Sequence, residues 1–204
     1  MKTTAIFLDR DGVINLCVRG KWTDHEDDFK LYPYAIEAMQ LLCKTQVPIF
    51  IVTNQSGVAR GTLKHSEYYK ITAKMLRLFE ENGVHITRIY ECLHPKDGSV
   101  SCPCRKPNVG MIERAVREYE VPPGKMWVVG DSASDVKMAL KANSAVGYSG
   151  HCAITPILVR TGLCDDTELN RSAELVEEFK AELYIEENLL TAAERIYSSY
   201  SGSS

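Results

Sequence analysis

The sequence predicts an α/β domain of three layers, a central parallel sheet between two layers of helices. Three observations carry that prediction. Five short apolar bursts recur along the chain, helix-periodic stretches separate them, and three of the bursts are followed at once by polar clusters rich in aspartate. Short buried strands alternating with amphipathic helices make parallel sheets, because each parallel pair needs a crossover and the crossovers cover both faces. Right-handed crossovers bring the C-terminal ends of the strands to one edge, where ligands bind in such sheets.

Taken in order, the first burst is Ala5-Ile6-Phe7-Leu8, stopped by Asp9, and Tyr34 to Lys44 then places apolar residues at helical spacing. Ile49-Phe50-Ile51-Val52 is the second strand, followed by a helix over Ser66 to Asn82 that Asn82-Gly83 terminates. Ile86 to Tyr90 is the third strand and Val109 to Tyr119 its helix; Trp127-Val128-Val129 is the fourth strand, with Ser134 to Ala142 as a helix stopped at Asn143. Ala145-Val146 is read as a fifth strand and Tyr148 to Pro156 as an insertion. From Leu163 the chain reads as helical and acid-rich over Ala173 to Ile196, and Ser198 to Ser204 as a disordered Ser/Gly tail. One domain over residues 1–197 is expected, with no internal repeat.

The chain has 204 residues, a mass of 22.9 kDa and a formal net charge of -3. A chain this long buries enough surface for a core without disulfides. The mild acidity argues against a nucleic-acid binder, and no apolar run approaches the roughly 18 residues needed to cross a bilayer. Seven cysteines, three of them crowded beside one histidine, suit metal ligation in a reducing cytoplasm better than a disulfide framework.

The chemistry concentrates after three strands. Leu8 is followed by Asp9-Arg10-Asp11-Gly12, Val52 by Thr53-Asn54-Gln55-Ser56-Gly57, and Val129 by Gly130-Asp131-Ser132-Ala133-Ser134-Asp135. A lone Asp in such a place is commonly a helix cap or an Asx turn. Asp9, Asp11 and Asp131 at the ends of two strands are instead expected to share a Mg²⁺ ion, which selects hard oxygen donors. With the ion bound, one carboxylate of the Asp9/Asp11 pair can attack phosphorus while the other supplies a proton to the leaving oxygen. The transferring phosphoryl group needs cations and donors around it; Lys106, the Thr53 hydroxyl and the turn Asn54, Gln55, Ser56 are the candidates.

Cys92-Leu93-His94, then seven residues, then Cys102-Pro103-Cys104 gives three thiolates and an imidazole, the donor set of a closed structural Zn²⁺ site. The loop between the pairs has no apolar core, so the ion is expected to replace packing and to fix the stem Arg105-Lys106-Pro107. Cys17, Cys43, Cys152 and Cys164 lie outside the cluster and read as ordinary small thiols.

In order and spacing, Asp9-Arg10-Asp11-Gly12, Thr53, Lys106 and Gly130-Asp131 through Asp135 resemble the four motifs of the haloacid dehalogenase (HAD) superfamily of phosphatases. The resemblance covers roughly Ile6 to Gly162. It implies a Rossmann-like HAD fold without a large cap domain, an aspartyl-phosphate intermediate on Asp9, Asp11 as general acid/base, Thr53 and Lys106 on the phosphoryl group, and Asp131 on Mg²⁺ with support from Asp135.

The zinc loop ending Cys-x-Cys-Arg-Lys-Pro, with Asp9 to Asn15 and Thr53 to Gly61, is similar to one branch of the superfamily, the heptose-bisphosphate phosphatases and the related histidinol-phosphate phosphatases. That likeness implies removal of the C7 phosphate of D-glycero-D-manno-heptose 1,7-bisphosphate in the synthesis of activated heptose for lipopolysaccharide, with Arg105 on the retained phosphate. It departs from the heptose pattern at Ser132, where a Lys is often found, and over Leu16 to Trp22, where Arg19 or Lys21 would compensate. The alternatives are histidinol phosphate or another small sugar phosphate as substrate, and a non-catalytic zinc-stabilised binding protein. A cytoplasmic monomer acting on a small molecule, without nucleic-acid or membrane partners, is expected.

Overall fold

A computed structural model of the chain describes residues 1–17, 23–96, 102–145 and 153–202. Its strands are β1 (Thr3–Leu8), β2 (Ile49–Asn54), β3 (Arg88–Cys92), β4 (Lys125–Gly130), β5 (Ala153–Val159) and β6 (Tyr184–Glu186), paired in parallel throughout in the order β3-β2-β1-β4-β5-β6. The helices are α1 (Ala35–Cys43), α2 (Ser56–Ala59), α3 (His65–Glu81), α4 (Gly110–Glu118), α5 (Ala133–Ala145), α6 (Asp166–Phe179) and α7 (Leu189–Ser201).

The strands read as continuous apolar runs because both faces of the sheet are buried, and successive side chains divide between the faces. Ile6 and Leu8 of β1, with Ile49 and Ile51 of β2 and Trp127 and Val129 of β4, join Met39 and Leu42 of α1, Tyr68 to Phe79 of α3, and Leu189, Ala192, Ala193 and Ile196 of α7. Ala5, Phe7, Phe50, Val52 and Val128 face the other way, onto Ile112 and Ala115 of α4 and Met138 and Ala139 of α5. Phe7 and Phe50 stack there with ring centroids 5.1 Å apart. Helix α6 packs at the side against Val136, Leu140 and Leu158. All six long helices thus serve buried clusters, and among the described residues none is left to form a cap over the sheet edge.

Four sequence expectations are corrected. Ala145 ends α5 and does not open a strand; the fifth strand is Ala153–Val159, which absorbs the last residues of the supposed insertion. Asn143 does not stop its helix, since its amide instead pins β5, accepting from Ile154 N (2.6 Å) and donating to Ile154 O (2.9 Å). The stretch Ala173 to Ile196 is two helices around a strand. Lys180, left-handed at φ 49°, closes α6, and Asn188 caps α7 by accepting from Leu190 N and Thr191 N. Helix α7 continues to Ser201, so residues 198–201 are helical rather than part of a tail. Arg19, Lys21, Cys152, the loop 97–101 and the segment 148–152 lie outside the described residues.

Candidate active site

Leu8 is in register with Ile51 on one side and Val129 on the other, and Asp9 N donates to Val129 O at 2.9 Å. The residues that follow β1, β2 and β4 therefore emerge together at one sheet edge. Lys106 enters this edge from the segment ahead of α4. The residue is buried, and its ammonium lies 2.7 Å from Asp9 Oδ1 and 2.7 Å from Asp135 Oδ1, and donates to the Val52 carbonyl at 3.2 Å. Carboxylate oxygens of Asp9, Asp131 and Asp135, all buried, lie within 4.8 Å of one another.

The electrostatics follow from that crowding. Burial pushes the Asp9 carboxyl up to about 7, against the pull of Lys106 and with the push of Asp135 and Asp11. Asp131 is raised as well, by burial first and then by Asp9 and Asp135. Burial alone would lower Lys106, but Asp135 and Asp9 outweigh it and hold the ammonium above its ordinary range. Three carboxylates against one ammonium leave two excess negative charges, which fits a divalent cation bound by oxygen donors.

The expected trio Asp9, Asp11, Asp131 is not the one the fold assembles; Asp135 takes the third place. Asp11 turns aside because Arg10 folds back on it, Nε and Nη2 donating to Oδ1 at 3.3 and 3.0 Å and Nη2 to Oδ2 at 2.9 Å. Asn15 Nδ2 donates to Asp11 Oδ1 (3.0 Å) and Gln55 Nε2 to Oδ2 (2.6 Å). Burial raises the Asp11 carboxyl, yet Arg10 and these hydrogen bonds win and hold it below its ordinary value.

Thr53 ends the buried part of β2, and its hydroxyl accepts from Gln55 Nε2 at 2.9 Å. Asn54, expected to touch substrate, grips the Lys106 peptide at both ends: Oδ1 accepts from Lys106 N (3.0 Å) and Nδ2 donates to Lys106 O (3.2 Å). Ser56 opens α2, and its hydroxyl accepts from Arg60 Nη1 (2.7 Å). Arg105 donates from Nη2 to the His94 carbonyl (2.8 Å), and its Nε is buried without a hydrogen-bond partner among the described residues.

The Cys/His cluster is assembled. Cys102 Sγ lies 3.0 Å from Cys104 Sγ, 3.4 Å from Cys92 Sγ and 3.1 Å from His94 Nδ1, and Cys104 Sγ lies 3.3 Å from His94 Nδ1. These spacings are close to the edges of a tetrahedron around an ion with bonds of about 2.0–2.3 Å, so the four residues fit zinc. Arg105 N donates to Cys102 Sγ (3.3 Å) and Asn108 Nδ2 to Cys102 O (2.7 Å), so the Lys106 stem is tied directly to the cluster. The Lys106-Pro107 peptide is cis.

Several supporting groups were not readable as such from the sequence. Leu163 N donates to Asp131 Oδ2 (2.7 Å), and Thr161 Oγ1 donates to Gly12 O (2.5 Å), so the loop after β5 holds both the metal-site acid and the turn after Asp11. A Cβ on Gly12 (φ +88°) would meet Asp131 Oδ2 at 2.0 Å, and one on Gly162 (φ +59°) at 2.1 Å; only glycine allows this approach. Ser132 Oγ donates to Asp135 Oδ2 (2.5 Å), and Glu168 of α6 accepts from Ala133 N (2.7 Å) at the start of α5. Arg10 offered one signal, since a charged residue inside an apolar strand exit needs a partner.

Comparison with known proteins agrees with this geometry. The profile of haloacid dehalogenase-like hydrolases matches residues 22–143, and a HAD-hydrolase-like profile matches residues 103–186. A D-glycero-beta-D-manno-heptose-1,7-bisphosphate 7-phosphatase of Photorhabdus laumondii is 35% identical over 88% of this chain and 92% of its own length. The D-glycero-alpha-D-manno-heptose-1,7-bisphosphate 7-phosphatase of Campylobacter jejuni is 37% identical over 70% of this chain and 80% of its own. The crystal structure of D,D-heptose 1,7-bisphosphate phosphatase from B. bronchiseptica, complexed with magnesium and phosphate, superposes with a TM-score of 0.77 at 28% identity, covering 96% of this chain and 99% of that one. With the all-parallel sheet, the acids at its edge and these relatives together, the chain belongs to the haloacid dehalogenase-like hydrolases and is a phosphatase.

Proposed function

We propose that this phosphatase removes the C7 phosphate of D-glycero-D-manno-heptose 1,7-bisphosphate, with Mg²⁺ at Asp9, Asp131 and Asp135, and so yields the heptose 1-phosphate that is a precursor of activated heptose for cell-surface glycans. The observation that carries the chemistry is the Lys106 ammonium, 2.7 Å from both Asp9 and Asp135 at the mouth of the sheet. The relatives named for this reaction, aligned over most of the chain, support the substrate.

Asp9 is the nucleophile. Its carboxylate oxygen forms a bond to phosphorus as the bond to the sugar oxygen breaks, and Asp11, ionised in the free protein, takes up a proton as the phosphate dianion binds beside it and gives that proton to the sugar oxygen. Asp11 then takes a proton from water, whose oxygen bonds to phosphorus as the Asp9 ester bond breaks, releasing phosphate and restoring both carboxyls. A bound Mg²⁺ neutralises the acids and the phosphoryl oxygens. Lys106 and the Thr53 hydroxyl hold the remaining phosphoryl oxygens. Arg105, on the same stem, faces the phosphate that is kept. Cys92, His94, Cys102 and Cys104 would hold a zinc ion, which would fix that stem.

Phosphate release measured across α- and β-heptose 1,7-bisphosphate, histidinol phosphate and common hexose phosphates tests this reading. A kcat/KM for a heptose bisphosphate at least 100-fold above the others supports it; a preference for histidinol phosphate or a hexose phosphate overturns the substrate.

A further inference from the structure

The Gln55 side chain joins two groups that act at different moments. Its Nε2 donates one hydrogen to the Thr53 hydroxyl oxygen (2.9 Å) and the other to Asp11 Oδ2 (2.6 Å), so both N-H bonds are used. The carboxylate only accepts, which fixes the amide with its nitrogen inward. The residue is 7% exposed, and its backbone N-H is anchored to the Cys92 carbonyl at 2.8 Å, so the bridge stands on the strand that supplies a Cys/His ligand. Because the Thr53 oxygen accepts from Gln55, its own O-H is left to point at a phosphoryl oxygen.

We propose that Gln55 is a positioning residue that sets the Asp11 carboxyl relative to the phosphoryl group held at Thr53, so that the acid meets the leaving oxygen in line with the attacked phosphorus. It acts through Thr53 and Asp11 and takes no part in bond making. This rests on Asp11 being the acid/base of the proposed mechanism. A misplaced acid slows cleavage of a strongly basic sugar alkoxide and hardly affects a phenolate that leaves unaided.

The test is pre-steady-state kinetics of Gln55→Met, which keeps length and flexibility but has no donor, and of Gln55→Leu, each mixed with heptose 1,7-bisphosphate and with p-nitrophenyl phosphate and read at the first release of the leaving group, before water attacks the Asp9 ester, with Asp11→Asn in parallel. Thermal unfolding of each variant verifies that it is folded. We expect both Gln55 variants to lose on the order of 10- to 100-fold in the rate of that first release on the sugar phosphate and less than about 3-fold on the aryl phosphate, with substrate binding little changed, and Asp11→Asn to show the same contrast more strongly. Equal losses on both substrates, or none, in Gln55 variants while Asp11→Asn keeps the contrast, overturn the role of Gln55 alone. Absence of the contrast in Asp11→Asn overturns the acid/base reading and this inference with it.

Discussion

Asp9 sits at the balance between two opposed demands. As a nucleophile it must be ionised, yet burial among Asp131, Asp135 and Asp11 makes ionisation costly without a cation. The folded protein holds the Asp9 proton up to about pH 7, while an unfolded carboxyl gives it up near 3.8, so the folded state binds more protons across that window. Protein dialysed free of magnesium should therefore lose stability as pH rises from 5 to 8, and added Mg²⁺ should restore it; a thermal unfolding series at several pH values measures this. Asp9→Asn should abolish phosphate release and raise the unfolding midpoint of the magnesium-free protein at pH 8. Gly12→Ala should lower Mg²⁺ affinity and stability together, by about 1–3 kcal/mol in unfolding free energy, because its Cβ would displace the Asp131 carboxylate. Asp9, Lys106 and Asp131 were legible as single residues because each follows a strand or a Cys-x-Cys stem at fixed spacing. The side chain of Asp11 was not, because its direction is decided by Arg10, Asn15 and Gln55, and no spacing rule encodes a guanidinium folding back on its neighbour.

At the scale of elements, the Cys/His loop and the β2 turn hold Lys106 from opposite sides, the first through Cys102 and the second through the Asn54 side chain. Asn54→Ala should lower kcat on the order of 10- to 100-fold with a smaller change in KM, since it moves a charge that matters most when the phosphoryl group is in transfer. Cys104→Ser should release zinc, seen by elemental analysis, and reduce kcat more than it reduces Mg²⁺ affinity measured by titration. The four strands from β1 to β4 were legible because they are apolar runs closed by polar motifs. Strand β5 was missed because Ala145-Val146 offered a nearer apolar pair, and β6 because it is three residues long, in an acidic stretch, with its one aliphatic residue, Ile185, exposed.

The whole molecule works as a rigid sheet with the chemistry on one edge and its loops braced from behind. Helix α7 belongs to that frame: Leu189, Ala192, Ala193 and Ile196 are fully buried against α1 and the sheet. Ile196→Ala should cost about 2–5 kcal/mol in unfolding free energy by denaturant titration, with kcat unchanged at temperatures where the variant is folded. The fold class followed from sequence alone because strand alternation and crossover handedness leave few arrangements, and the meeting of the motifs at one edge followed from the fold. All of it converges on Asp9 as the atom that takes the phosphoryl group. Rapid acid quenching during turnover of heptose 1,7-bisphosphate, followed by peptide mass spectrometry, should find one phosphoryl group on the peptide bearing Asp9 and none on any other residue. Phosphate release at the normal rate with Asp9 unmodified, or with the group on a different side chain, would contradict it.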